Sequence, residues 1–220
     1  MRIPSGIPGL DELIEGGFEE GSVNLVTGKT GTGKSIFCAQ FLFNGAREYK
    51  DKGLYITTGD TIKNIKKQSL KFGWDFDALA KEGYLKIIEI EPYDIEKLIE
   101  NISLEKELTD VKRIVIDSAS MFELYMQDPY KIRKTLFSVL QKLREMGKTV
   151  LIVAEVLEDS KNLSRCGVLE FMVDSVILLQ YLGIAKYKRS LMIRKMRMTN
   201  HSTDIHPFEI GPKGIEIKNM

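Results

Sequence analysis

The stretch Gly28-Lys29-Thr30-Gly31-Thr32-Gly33-Lys34-Ser35 fits the pattern G-x-x-x-x-G-K-[ST] at every fixed position. The chemistry of that spacing is phosphate binding. Glycines permit a tight loop whose backbone N–H groups turn inward, and the loop hands over to a helix N-terminus that favours anions. Lys34 places a point charge against the β- and γ-phosphates of a nucleotide, the Ser35 hydroxyl is a candidate Mg²⁺ ligand, and Ile36 continues the binding segment. A second carboxylate should stand at the end of a neighbouring strand, and Arg113-Ile114-Val115-Ile116-Asp117 supplies it. Asp117 is the second candidate metal residue. Together these residues predict binding of a Mg²⁺–nucleoside triphosphate.

Such residues need a scaffold of strands and helices. Ser22–Thr27 reads as a strand, followed by a helix from Lys34 to about Tyr49. Leu54–Thr58, Leu85–Ile90, Ile114–Ile116 and Thr149–Ala154 read as further strands. The runs at 114–116 and 149–154 are continuously apolar, as in strands buried on both faces. Between them lie helical stretches: one carrying Ile62, Ile65, Ser69 and Phe72, one over Ile95–Leu108, and one over Tyr130–Met146 that Pro129 can open. From Ser175 onward the segments VILLQYL, SLMIRKMRMT and Ile210–Ile217 read as strands joined by turns. The expected architecture is α/β: a mainly parallel central sheet flanked by helices, with a C-terminal antiparallel β extension and one domain over residues 1–220.

Composition narrows the partners. The chain has 220 residues, 43% apolar and 29% charged, which excludes a disordered polypeptide. Its 32 basic and 31 acidic residues leave +1, so no whole-molecule field draws it to nucleic acid or a membrane. Cys38 and Cys166 have no metal-ligand spacing and read as free thiols. No apolar signal and no membrane-length run is visible, so a cytoplasmic protein is expected. Trp74 within Phe72–Phe76 reads as packing at a helix end, His206 as a turn residue, and Met192, Met196 and Met198 as strand packing.

With these residues in hand, the chain resembles the KaiC-like ATPases of the RecA-type superfamily, a group abundant in archaea. The similarity runs through Ile3–Leu13, Gly16-Gly17-Phe18, Gly21-Ser22, Arg165–Phe171 with Asp174, and Val176–Leu179, nearly the whole length. The resemblance implies ATP and Mg²⁺ as ligands, and a homo-oligomeric ring, a hexamer, with nucleotide at the interfaces. It also implies that Lys195 and Arg197 reach the triphosphate held by a neighbouring subunit. Strand alternation would put Thr199 and His201 on the same face as those two residues, opposite Met196, Met198 and Asn200.

The chain departs from the family pattern at one expected catalytic position. A pair of glutamates normally ends the second strand; here the stretch is Ile56-Thr57-Thr58-Gly59-Asp60. Gly59 stands where the base is expected. Asp60 either positions water or caps the following helix, and Glu155 is the other acid within reach. A slow ATPase that signals nucleotide state to a protein partner is the leading expectation. A single-stranded-DNA-binding recombination relative, with Lys161 and Arg165 in its loop, is a second. A non-hydrolysing assembly module is a third.

Overall fold

The computed structural model of the protein describes residues 1–91, 110–126, 128–182 and 188–218. A short ribbon, β1 (Arg2–Ile3) with β2 (Phe18–Glu19), precedes the main sheet. Then come β3 (Val23–Gly28), α1 (Lys34–Tyr49), β4 (Lys52–Thr57), α2 (Ile62–Leu70), α3 (Phe76–Lys81) and β5 (Leu85–Glu89). They are followed by β6 (Val111–Asp117), α4 (Ala119–Met126), α5 (Pro129–Glu145), β7 (Thr149–Glu155) and α6 (Leu169–Met172). The chain closes with β8 (Ser175–Tyr181), β9 (Arg189–Met196), β10 (Ile205–Gly211) and β11 (Gly214–Ile217). Among the described residues the main sheet runs β11-β10-β9-β8-β3-β7-β6-β4-β5. The six strands from β8 to β5 are parallel, and β9, β10 and β11 add antiparallel. The expected fold class is the observed one.

Local chemistry accounts for the element starts. Thr61 accepts the Asn64 N–H at 3.3 Å to begin α2, Asp75 accepts that of Ala78 at 2.9 Å before α3, and Asp128 accepts that of Tyr130 at 2.9 Å before α5. The strands bury alternate faces in two cores. Phe37, Phe41 and Leu42 of α1 pack with Val26, Val115 and Leu151 on one side of the sheet. On the other, Phe122, Leu136 and Leu140 of α4 and α5 pack with Leu25, Ile114 and Ile152.

One charged side chain sits wholly inside. Arg113 is fully buried, its Nε and Nη2 donating to Asp51 Oδ2 at 3.0 and 2.9 Å and its Nη1 to the Phe41 carbonyl at 3.1 Å. Gly45 makes room for it, since a Cβ there would lie 2.4 Å from Arg113 Nε.

The reading of the C-terminal segment changes. The last segment, expected over Ile210–Ile217, is a hairpin whose first strand begins at Ile205, so His206 lies in β10 and not in a turn. Backbone pairing with β9 draws the chain into the sheet before its apolar pattern begins. The helix expected over Ile95–Leu108 lies outside the described residues. Among those described, no helix is long and apolar enough to cross a membrane.

Candidate functional site

The glycine-rich loop leaves β3 in the middle of the sheet, at its carboxyl-terminal edge, and enters α1. Gly28 has φ +152°, and a Cβ there would stand 2.0 Å from the Leu179 carbonyl of the adjacent strand, so only glycine fits. Gly33, at φ +108°, precedes α1, and no side-chain cap hydrogen bond closes that helix among the described residues. The first-turn N–H groups therefore remain free to receive an anion. Thr32 holds the loop's curl, its hydroxyl donating to the Lys29 carbonyl at 2.8 Å. Lys34 folds back beneath it, Nζ donating to the carbonyls of Gly28 and Lys29 at 2.8 and 2.9 Å. Burial lowers the Lys34 pKa, while the charges of Glu155 and Asp117 oppose that shift.

Asp117 ends β6, two strands from the loop, with its carboxylate turned toward it. Burial pushes its pKa up; hydrogen bonding from Ser35 and Tyr55 and the Lys34 charge pull it back. The Tyr55 hydroxyl donates to Asp117 Oδ2 at 2.7 Å. Glu155, ending β7, is the sheet partner of Gly28. Ser35, Asp117, Glu155 and Asp60 line one cavity of about 240 Å³ between α1 and α2, which extends past Ile36 to Phe72 and Trp74. Among the described residues no three His, Cys, Asp or Glu side chains gather as a metal cage. One hydroxyl and one carboxylate are nevertheless what Mg²⁺ uses when phosphate oxygens and water complete its shell. The donor set fits magnesium held by Ser35 and Asp117.

Asp60 stands at the cavity but is already engaged. Its Oδ1 accepts from the Thr61 N–H at 2.8 Å and Asn64 Nδ2 at 2.9 Å, and its Oδ2 from Gln68 Nε2 at 3.3 Å. All three donors belong to α2 or its N-cap, Thr61 and Asn64 at its start and Gln68 toward its end. Gly59 has an ordinary backbone, and a Cβ there would meet Met121 Cγ at 3.4 Å. Around the loop's outer side, Lys29 pairs with Glu158 at 2.6 Å, and the Gly31 carbonyl accepts from Arg189 Nη2 at 3.4 Å. Arg189 in turn lies 5.3 Å from the centre of the Tyr181 ring. Thr30 lies on the same turn.

The late basic residues are elsewhere. Register sets Gly28 beside Leu179 and Leu179 beside Leu191, whereas Asn24 lies beside Ser175 and Ser175 beside Met196. Lys195 and Arg197 are thus at the amino-terminal edge of the parallel strands, about 13 Å or more along the sheet from this chain's own loop. Lys195 Nζ donates to the Glu170 carbonyl at 3.1 Å, and Arg197 pairs with Asp174 at 3.5 Å. The expected alternation through His201 fails: β9 stops at Met196, and Met198 takes φ +54°. Met198 is consequently 78% exposed rather than packed with Met196. Thr199 accepts from Arg2 Nη1 at 2.7 Å, and the His201 ring nitrogen Nδ1 faces the Ser202 carbonyl at 2.8 Å.

The fold brings Lys34, Ser35, Asp117, Glu155 and Asp60 to one place. It adds neighbours that the motifs do not announce: Tyr55 and Trp74 at the cavity and Arg189 at the loop. A tyrosine inside an aliphatic strand was a usable signal, because a buried phenol needs a partner for its hydroxyl.

Comparison with known proteins agrees with this fold. A family model described as "ATPase: KaiC" matches residues 3–220. The chain is 34% identical over 223 residues to the circadian clock oscillator protein KaiC of Synechococcus elongatus, covering 96% of this chain and 43% of that protein. It thus spans less than half of that relative. A UPF0273 protein of Methanocaldococcus jannaschii is 36% identical, with 97% of this chain and 95% of the relative covered. The crystal structure of a KaiC-like protein from the hyperthermophilic Pyrococcus horikoshii superposes with a TM-score of 0.90 at 40% identity, covering 100% of this chain and 99% of that one.

Proposed function

We propose a function from one premise: this chain belongs to the KaiC family of ATPases. The reading is a Mg²⁺–ATP-binding protein that hydrolyses slowly and assembles as a ring, most simply a hexamer, whose nucleotide state is signalled to a protein partner. In it, the loop N–H groups and Lys34 bind the triphosphate, and the hydroxyl of Ser35 and the carboxylate of Asp117 hold the ion. A magnesium ion held by these residues would supply charge neutralisation to the triphosphate. Glu155 orients the attacking water, since Gly59 has no side chain and Asp60 is committed to α2.

The observation that carries the oligomeric part is the opposite placement of the two basic sets. Lys34 sits at one edge of the sheet and Lys195 with Arg197 at the other. No side chain spans that gap, so the second pair can act only on a nucleotide held by another subunit. Arg197 is more than half exposed and its contact with Asp174, which also pairs with Arg144, is long at 3.5 Å, so the pair holds Arg197 only weakly. Arg197 is free to be exchanged onto a neighbour's phosphate, where a desolvated charge counts for far more.

Light-scattering mass with and without Mg²⁺–ATP, with released phosphate measured on the same samples, tests the reading. A nucleotide-dependent ring with slow turnover is expected. Arg197→Ala should keep nucleotide binding and lose turnover or assembly. A wild-type monomer saturated with ATP would overturn the ring, and equal loss of binding in Arg197→Ala and Lys34→Ala would overturn the trans assignment.

A further inference from the structure

β4 carries Tyr55 between the buried aliphatic residues Leu54 and Ile56, and Thr57 and Thr58 follow where the strand ends. Tyr55 is 2% exposed, and its ring belongs to the same core as Phe37 and Val115. Its hydroxyl emerges from that core at one point, donating to Asp117 Oδ2 at 2.7 Å. Thr58 holds the main chain just after the carboxylate-bearing carbon. Its N–H donates to the Asp117 carbonyl at 2.9 Å, while its hydroxyl donates to the Ser118 carbonyl at 2.8 Å and accepts the Ser118 N–H at 3.0 Å. β4 and the residue that follows it therefore hold both the backbone after Asp117 and one oxygen of its carboxylate.

We propose that Tyr55 is a positioning residue for metal binding: it commits one Asp117 oxygen to itself and so turns the other toward the Ser35 side, where a hydrated magnesium ion binds with the nucleotide. This rests on the Mg²⁺–nucleotide reading of the site. Groups that orient a metal-ligating carboxylate typically change metal affinity 10–100-fold when removed. Because β4 contributes no acid at Gly59, its polar groups at this end serve the metal carboxylate and leave water activation to another strand. The structural alternative is a phenol that merely satisfies its own hydroxyl. That alternative predicts a loss of stability with no metal-specific component.

Tyr55→Phe keeps the ring and removes the hydroxyl. Binding of a fluorescent ATP analogue would be measured in EDTA and across a Mg²⁺ titration, with Mn²⁺ paramagnetic resonance counting bound ion directly. Expected are metal-free nucleotide affinity within about two-fold of wild type and a half-saturating Mg²⁺ concentration raised roughly 10-fold or more. In an Asp117→Asn background the same change should add nothing further. Thr58→Val, which loses the hydroxyl at constant size, should shift the Mg²⁺ titration in the same direction and stands in if Tyr55→Phe does not fold. An unchanged Mg²⁺ titration in a folded variant, or an equal loss of affinity in EDTA, overturns the proposal. A wild type whose ATP affinity ignores Mg²⁺ overturns the underlying reading of the site and this inference with it.

Discussion

At the scale of single residues, steric and electrostatic constraints on the loop make opposite demands. Gly28 must have no side chain, because the Leu179 carbonyl occupies the space a Cβ would take. Gly28→Ala should therefore distort the loop and abolish binding of a fluorescent nucleotide, with a lowered melting temperature. Lys34 must be long and charged, yet it is 8% exposed and bonded to two loop carbonyls. Lys34→Ala should weaken nucleotide binding on the order of 100-fold or more, read in the same titration, since a charge aimed at phosphate is lost from a partly desolvated site. Gly59 has an ordinary backbone and only Met121 nearby, so a longer side chain fits there. If the missing acid limits turnover, Gly59→Glu will speed phosphate release; an unchanged rate would leave that task with Glu155 as it stands.

At the scale of elements, buried charge does most of the positioning. Arg113 joins β6 to α1 through Asp51 and the Phe41 carbonyl. Asp51→Ala would leave a guanidinium unpaired in the core and cost about 3–5 kcal/mol. The melting temperature should drop by about 10 °C. Glu123, on α4, is another buried charge. Its carboxylate is 3% exposed and faces the N–H groups of Arg165 and Cys166 without the alignment of a hydrogen bond. Burial, the largest cause, pushes its pKa up to about 7 from an unfolded value of 4.5. A raised acid pKa means the folded state holds a proton that the unfolded state has released. Its stabilising contribution is present below pH 4.5 and is lost as pH rises through about 7. Glu123→Gln should accordingly gain on wild type in melting temperature between pH 5.5 and pH 8, by an amount growing with pH. A constant difference across that range would show that Glu123 does not titrate there.

At the scale of the whole molecule, the sheet has two working edges. The carboxyl-terminal edge of the parallel strands collects the loop, Asp117 and Glu155, as open α/β sheets do. The amino-terminal edge carries Lys195 and Arg197, placed there because β9 runs antiparallel to β8. A ring of subunits in which one edge faces the next would bring the two sets together. Mixing Lys34→Ala chains with Arg197→Ala chains should restore phosphate release above either alone, because some interfaces then pair an intact loop with an intact arginine. No restoration would place both functions within one chain.

Much of this was legible in the residues themselves. The loop, its helix and the strand ending in Asp117 follow from local rules: glycine freedom, a helix N-terminus, an apolar run closed by an acid. Parallel order was readable because continuous apolar strands alternate with amphipathic helices. The start of β10 was not, since Ile205-His206-Pro207 joins the sheet through backbone pairing that leaves no side-chain pattern. Nor was the end of β9, where a left-handed Met198 breaks an alternation that sequence alone would continue. Which side chains are neighbours across strands is set by register, a long-range property with no local signature. The types of the groups proposed to face phosphate and metal are therefore a property of the sequence. That Tyr55 meets Asp117, that Asp60 is bound to α2, and that Lys195 lies on the far edge from Lys34 were decided only when the strands paired.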